Sequence, residues 1–159
     1  MEIMLKHGNI FYKCLIDEED CHLIEKYAWW VRYDKHSKRY YVSGYEKHNE
    51  SHKFLQLHRI IMNCPIGLCV DHINHDGLDN RKCNLRIVTH AQNQQNRTGA
   101  NINNKINARG VFFNKQTNKW GTQLKINGKK IYFGEYTNVN DAKQAAIEGR
   151  KKYLPFSTN

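Results

Sequence analysis

Apolar and polar positions alternate along the chain in short bursts, and no apolar run approaches the roughly 20 residues that a bilayer-spanning helix needs. From Asn9 the stretch Ile10-Phe11-Tyr12-Lys13-Cys14-Leu15-Ile16 ends in an apolar alternation and reads as a strand. Asp17 then serves as N-cap for a helix over residues 18–27, with acids in its first turn where the helix dipole favours them. Residues 29–33 (Trp-Trp-Val-Arg-Tyr) and 39–42 (Arg-Tyr-Tyr-Val) are aromatic and β-branched. The polar turn 34–38 separates them, which predicts a hairpin whose aromatic rings belong to a core. A short helix is expected over 54–62, broken by Pro65 and Gly67.

Residues 70–97 have a different rhythm: a short strand at 70–73, a loop of turn formers at 75–80, a second strand at 85–88 and a helix capped by Thr89 and running to Arg97. Residues 99–107 are Asn-rich and carry one charge, Lys105, which marks residues 98–107 as a linker. Three strands follow at 110–113, 120–126 and 130–135, with Asn127-Gly128 as the second hairpin turn. A helix over 139–153 places Val139, Ala142, Ala145, Ala146 and Gly149 on one face. Together these elements predict an α+β protein. At 159 residues it has room for one ordinary domain or two small ones with thin cores.

Charge sharpens the division. The net charge is +10, yet residues 105–153 hold eleven Lys/Arg against three acids, while residues 1–104 are close to balanced. A compact basic module beside a near-neutral one points to a polyanion partner, nucleic acid first. All nine histidines lie at or before His90, so chemistry and binding separate along the chain. The five cysteines are odd in number and irregular in spacing. Cys64, Cys69 and Cys83 are therefore read as reduced thiols and not as a structural zinc site. The first residues, Met1-Glu2-Ile3-Met4-Leu5-Lys6, show no signal-peptide pattern, so the expected location is intracellular, with no membrane partner.

Phosphodiester hydrolysis needs a base for water, a divalent ion for the developing charge, and ligands that leave the ion an open position. Asp71 offers a hard oxygen, and His72 beside it a base that titrates near neutrality. The helix opening at Thr89 presents His90, Asn93, Gln94 and Arg97 at i, i+3, i+4 and i+7. Such a set could hold Mg²⁺ or Mn²⁺. An Asp-His pair in a loop is by itself more often a surface hydrogen-bonded pair.

The longer string carries more information. Leu57-His58-Arg59-Ile60-Ile61, Val70-Asp71-His72-Ile73-Asn74, Leu78-Asp79-Asn80-Arg81, Asn84-Leu85-Arg86 and Thr89…Asn93…Asn96 together resemble the HNH homing endonucleases, closest to the His-Asn-Asn branch of phages and group I introns. The resemblance implies a ββα-metal fold over about residues 70–97, within a nuclease domain of residues 1–97 that has a β-rich N-terminal extension. It implies His72 as general base, Asn84 as the residue that holds the loop and helps orient the base, and Asp71 and Asn93 as metal ligands, with His90 the alternative to Asn93. His75 is read as a loop or phosphate contact, His58 and Arg59 as packing or DNA-backbone contacts, and Asn80 and Arg86 as hydrogen bonds holding the loop.

The basic third has its own likeness. Arg109-Gly110-Val111, Lys119-Trp120, Lys125-Ile126, Tyr132-Phe133-Gly134-Glu135-Tyr136 and the Ala-rich helix from Asp141 resemble the AP2 DNA-binding domain over residues 108–156. The resemblance implies DNA contacts from Arg109, Gln123, Lys125, Lys130 and Tyr132, with Trp120 at the edge. Arg97 is added from the end of the preceding helix. Phe112 stands where that family often has Arg, which weakens the expectation of sequence specificity. The expected protein is a monomeric, metal-dependent endonuclease acting on double-stranded DNA in a bacterial or phage-infected cell. A catalytically inactive DNA-binding regulator and a zinc-stabilised structural module are the alternatives.

Overall fold

The computed structural model describes residues 1–47, 53–97, 104, 106–126 and 128–158. Most of the expected linker, residues 98–103 and 105, and Asn127 of the expected turn lie outside the described residues. The fold is mixed α+β with small sheets and few helices. No helix among the described residues is long and apolar enough to cross a membrane. The chain divides into two compact units, Met1–Asn93 and Gln94–Asn159.

In the first unit, β1 (Glu2–His7) and β2 (Ile10–Leu15) form an antiparallel hairpin, so the strand foreseen at Ile10 has a partner at the N-terminus. The helix expected over 18–27 is shorter. Glu18–Asp20 is a 3-10 turn, and α1 covers only His22–Lys26, because Tyr27 already pairs with Glu46 as the first residue of β3. β3 (Tyr27–Asp34) and β4 (Arg39–Glu46) make the expected hairpin. Likewise the helix expected from Phe54 begins later, since Leu55–Gln56 extends β4 as the short strand β5, and α2 covers Leu57–Ile61. Ile3, Cys14, Ile16, Leu23, Val31, Val42 and Leu57 form the core, with Ile60, Ile61 and Leu78 packed against it. Burial of these side chains is the main force holding the unit together.

β6 (Cys69–His72) pairs antiparallel with β7 (Leu85–Val88), and α3 (His90–Gln95) follows at once. Thr89 caps it, Oγ1 accepting from the Gln92 amide at 3.2 Å while Gln92 Oε1 accepts from the Thr89 amide at 2.8 Å. That reciprocal pair is a capping box.

In the second unit, β8 (Val111–Asn114), β9 (Lys119–Ile126) and β10 (Lys129–Tyr136) form a sheet in the order β10-β9-β8. Helix α4 (Val139–Tyr153) is capped by Asn138 and packs Ala142 and Ala146 against Ala108, Val111, Trp120 and Tyr136.

Candidate active site

The loop between β6 and β7 is held from several directions at once. Its backbone is joined to the end of β2: the Leu15 amide donates to the Leu78 carbonyl at 2.9 Å, and the Asn80 amide donates to the Leu15 carbonyl at 2.8 Å. Gly77 lies so close to β4 that a Cβ there would fall on the Tyr40 carbonyl and the Tyr41 ring. Within the loop, Asn74 Oδ1 accepts from the Asp76 amide and Asp76 Oδ1 from the Leu78 amide, two successive side-chain turns. Asp79 is buried, ion-paired with Arg81 and bonded by the Asn74 side chain, and its carboxyl lies below the ordinary range chiefly because Arg81 donates to it. These bonds support one another and brace the loop, as a site needs.

Asn84 is central to that order. Its Oδ1 accepts from the Asn74 amide at 3.0 Å and its Nδ2 donates to the Asp79 carbonyl at 2.8 Å, so one buried amide closes both ends of the loop. The side chain that touches His72 is a different one. Asn80, fully buried, faces His72 Nε2 with Oδ1 at 3.4 Å and donates from Nδ2 to the Gly77 carbonyl. Because the Asn80 amide is oriented by that second bond, its oxygen faces the imidazole. A neutral ring protonated at Nε2 would donate to that oxygen and leave the lone pair on Nδ1. Asn84 makes its bond to the Asp79 carbonyl, next to Asn80 in the chain.

His72 is 6% exposed. Burial pushes its imidazole below the ordinary value, against the upward pull of Asn80 and of the Asp71, Asp76 and Asp79 carboxylates. A neutral imidazole at neutral pH is the form a general base requires. Asp71, its neighbour on β6, is also buried; its Oδ2 accepts from Arg86 Nε at 2.9 Å and Nη2 at 2.7 Å. Arg86 stands opposite Asp71 in the strand register. His75 has a left-handed backbone, φ 68°, and its imidazole is lowered by burial.

Asn93 and His90 lie on α3, Asn93 half-buried and His90 exposed, with the Asn93 amide donating to the Thr89 carbonyl. Among the described residues no group of three or more His, Cys, Asp and Glu is arranged to hold a metal. The donors available are the Asp71 carboxylate and the Asn93 amide oxygen, both hard oxygens, with His90 as a nitrogen alternative. That set fits an ion such as Mg²⁺, which keeps several waters and takes few protein ligands. The five cysteines are free thiols; burial raises Cys14 to about 12.

Two rings beside His72, one of them the His58 read from the sequence as a packing or DNA-backbone contact, approach it by tertiary packing. The His58 ring from α2 stands edge-on to His72, centroids 5.0 Å apart and planes at 78°, and the Tyr41 ring from β4 lies 5.9 Å away. Arg59 turns away, donating to the carbonyls of Leu68, Cys64 and Pro65.

In the second unit, strand alternation places Gln123 and Lys125 on the face opposite buried Leu124. Tyr132 pairs with Gln123 and Lys130 with Lys125, so all four share that outer face. Phe112 lies over Gly121 on the same face. A groove of about 410 Å³ runs here, lined by Arg97, Arg109, Phe112, Gln123, Lys125 and Lys130. Arg109, expected to reach DNA, is half-buried and donates to the carbonyls of Gln94, Gln95 and Arg97 at 2.8–3.3 Å. Its guanidinium therefore closes the end of α3, and its own carbonyl accepts from buried Arg150. Trp120, expected at the edge of a DNA contact, packs on the α4 core and edge-on to Phe113.

No curated protein and no solved structure gives a significant match to the chain. Residues 56–95, a quarter of the chain, match the family model described as HNH endonuclease, which supports an HNH nuclease acting on DNA.

Proposed function

We propose that the protein is a metal-dependent endonuclease of the homing HNH type that cuts double-stranded DNA, with its site on the β6–loop–β7–α3 stretch. The observation that supports this most is the environment of His72: a buried, neutral imidazole whose Nε2 faces Asn80 Oδ1, next to the hard-oxygen donor Asp71. In this reading β6, β7 and α3 are the ββα-metal element. Asp71 and Asn93, with His90 as the alternative to Asn93, would hold Mg²⁺ or Mn²⁺, and such an ion would supply stabilisation of charge on the phosphate and on the leaving 3′ oxygen.

The chain's own groups do the rest. His72 takes a proton from water at Nδ1, and the resulting hydroxide attacks phosphorus opposite the 3′ oxygen. The new P–O bond forms as the P–O3′ bond breaks, and the departing 3′ oxygen takes a proton from solvent water, leaving 5′-phosphate and 3′-hydroxyl ends. Asn84 keeps the loop closed, so Asn80 and His72 hold their places through the reaction. Residues 108–156 act as an AP2-like DNA-holding module that engages the duplex through Gln123, Lys125, Lys130 and Tyr132, with Arg97 added from the preceding segment. Arg109 and Trp120 support that surface from behind. A monomer has one site and one site serves one phosphate, so a nick is the first product.

Incubating supercoiled plasmid with the protein in Mg²⁺ or Mn²⁺, with EDTA as control, tests the reading. Conversion to open circle that requires the metal supports it, and intact plasmid in both metals contradicts it.

A further inference from the structure

The contact between His72 Nε2 and Asn80 Oδ1 is long at 3.4 Å. A bond of that length lies at the weak end of the range and fixes a ring poorly by itself. The His58 and His72 rings meet in T-shaped geometry, 5.0 Å apart with planes at 78°, and Tyr41 packs against both, 6.2 Å from His58 and 5.9 Å from His72. Such ring pairs have a preferred geometry and add to the stability of a site beyond simple burial.

His58 is also an oddity. It is 6% exposed, and its Nδ1 has no hydrogen-bond partner among the described residues. Leaving a buried ring nitrogen unpaired costs stability, and a Phe or Leu of similar size would avoid that cost. α2 holds the ring rigidly in this position, with Leu57 on the same helix fully buried in the core.

We propose that His58 is a positioning residue for His72: its ring edge sets the plane of the His72 imidazole so that Nδ1 stays directed at the reacting water. The kinetic half of this rests on His72 being the base; the structural half does not. Asn80 fixes which nitrogen is protonated, and His58 with Tyr41 fixes the ring's tilt. Two contacts of different kinds thus define one orientation, from elements far apart in sequence.

Nitrogen-15 NMR of the histidine rings, with plasmid cleavage alongside, tests it on wild type, His58→Phe and His58→Leu. In wild type, His72 is expected to show a single tautomer protonated at Nε2, with nuclear Overhauser contacts between the two imidazoles. Phe keeps a ring edge and is expected to preserve the His72 signals and most of the cleavage rate. Leu fills the space without an edge, so His72 should lose its single set of signals. Its kcat should then fall on the order of 10- to 100-fold, the effect of misplacing a catalytic group, with KM for the plasmid unchanged. Absence of ring-to-ring contacts in wild type overturns the inference whether or not either variant folds. So does a folded His58→Leu protein whose His72 signals are unchanged. If wild type fails to cut DNA, the nuclease reading falls, and the NMR comparison still decides the role of His58.

Discussion

Arg86 reaches across the β6–β7 pair and holds a single oxygen of Asp71 with two nitrogens, at 2.9 and 2.7 Å. The carboxylate is buried and Arg86 is 22% exposed at its side chain. Truncating Arg86 would strand a buried charge, which costs on the order of 3 kcal/mol in a well-enclosed pair and less where the partner reaches solvent. Arg86→Ala should therefore lower stability in urea unfolding by about 2 kcal/mol. If Asp71 is a metal ligand, a cation can replace the guanidinium's charge, so Mg²⁺ should raise the Tm of Arg86→Ala more than that of wild type. Equal responses in the two proteins would count against Asp71 as a ligand.

Stability should fall with acid, and His58 sets the window. Burial holds its imidazole at about 3, against an ordinary 6.5. Between those values the unfolded chain binds a proton that the folded chain does not. The stabilisation is therefore complete above 6.5 and is lost as pH falls toward about 3. The slope from this residue approaches about 1.4 kcal/mol per pH unit. His72 and His75, both lowered by burial, act in the same direction. Unfolding measured from pH 7 to pH 4 should show a shallower decline in His58→Phe than in wild type, and identical slopes would contradict the burial of a neutral His58.

Asn84→Ala removes both bonds that close the site loop, the Asn74 amide to Oδ1 and Nδ2 to the Asp79 carbonyl. With the buried Asp79 carbonyl left unsatisfied and the bond to the exposed Asn74 lost as well, the loss should be about 1–3 kcal/mol. Hydrogen exchange at the Asn74 amide should accelerate well beyond the global change. An unchanged exchange rate there would show that the loop is held by other means.

On the second unit, the paired Lys125 and Lys130 and the half-buried Arg109 should behave differently. Lys125→Ala with Lys130→Ala should reduce the slope of log K against log salt for duplex binding by about 2, one counterion per lysine. Arg109→Ala should instead lower thermal stability, because the carbonyls of Gln94, Gln95 and Arg97 lose their donor. A large change of salt slope in Arg109→Ala alone would return it to the DNA-contacting set.

Where local patterns dominate, the sequence was a good guide. The β3–β4 hairpin, the β6–loop–β7–α3 order and the Thr89 cap follow from alternation, turn formers and capping chemistry. Boundaries moved where pairing over distance overrode local preference. Tyr27 leaves its helix for β3 because Glu46 waits opposite, and Leu55 leaves its helix to extend β4. The surroundings of His72 were harder to read. Asn80 and Asn84 are both loop asparagines, and only the fold tells which one meets the imidazole. Tyr41 and His58 come from separate elements, and their approach to His72 is a matter of tertiary packing with no local signature. Arg109 carries the same ambiguity: an arginine before a strand looks alike whether it caps a helix end or faces a phosphate.

The central claim, that His72 is the base of a metal-dependent nuclease, is tested most directly by plasmid cleavage with wild type and His72→Ala side by side in Mg²⁺. Both proteins should be checked for folding and for duplex binding. Metal-dependent nicking by wild type, absent from a folded His72→Ala that still binds DNA, is the predicted result. Equal cleavage by the two proteins would contradict it by removing His72 as the base. DNA binding by wild type without cleavage in either Mg²⁺ or Mn²⁺ would contradict it by pointing to a DNA-binding regulator.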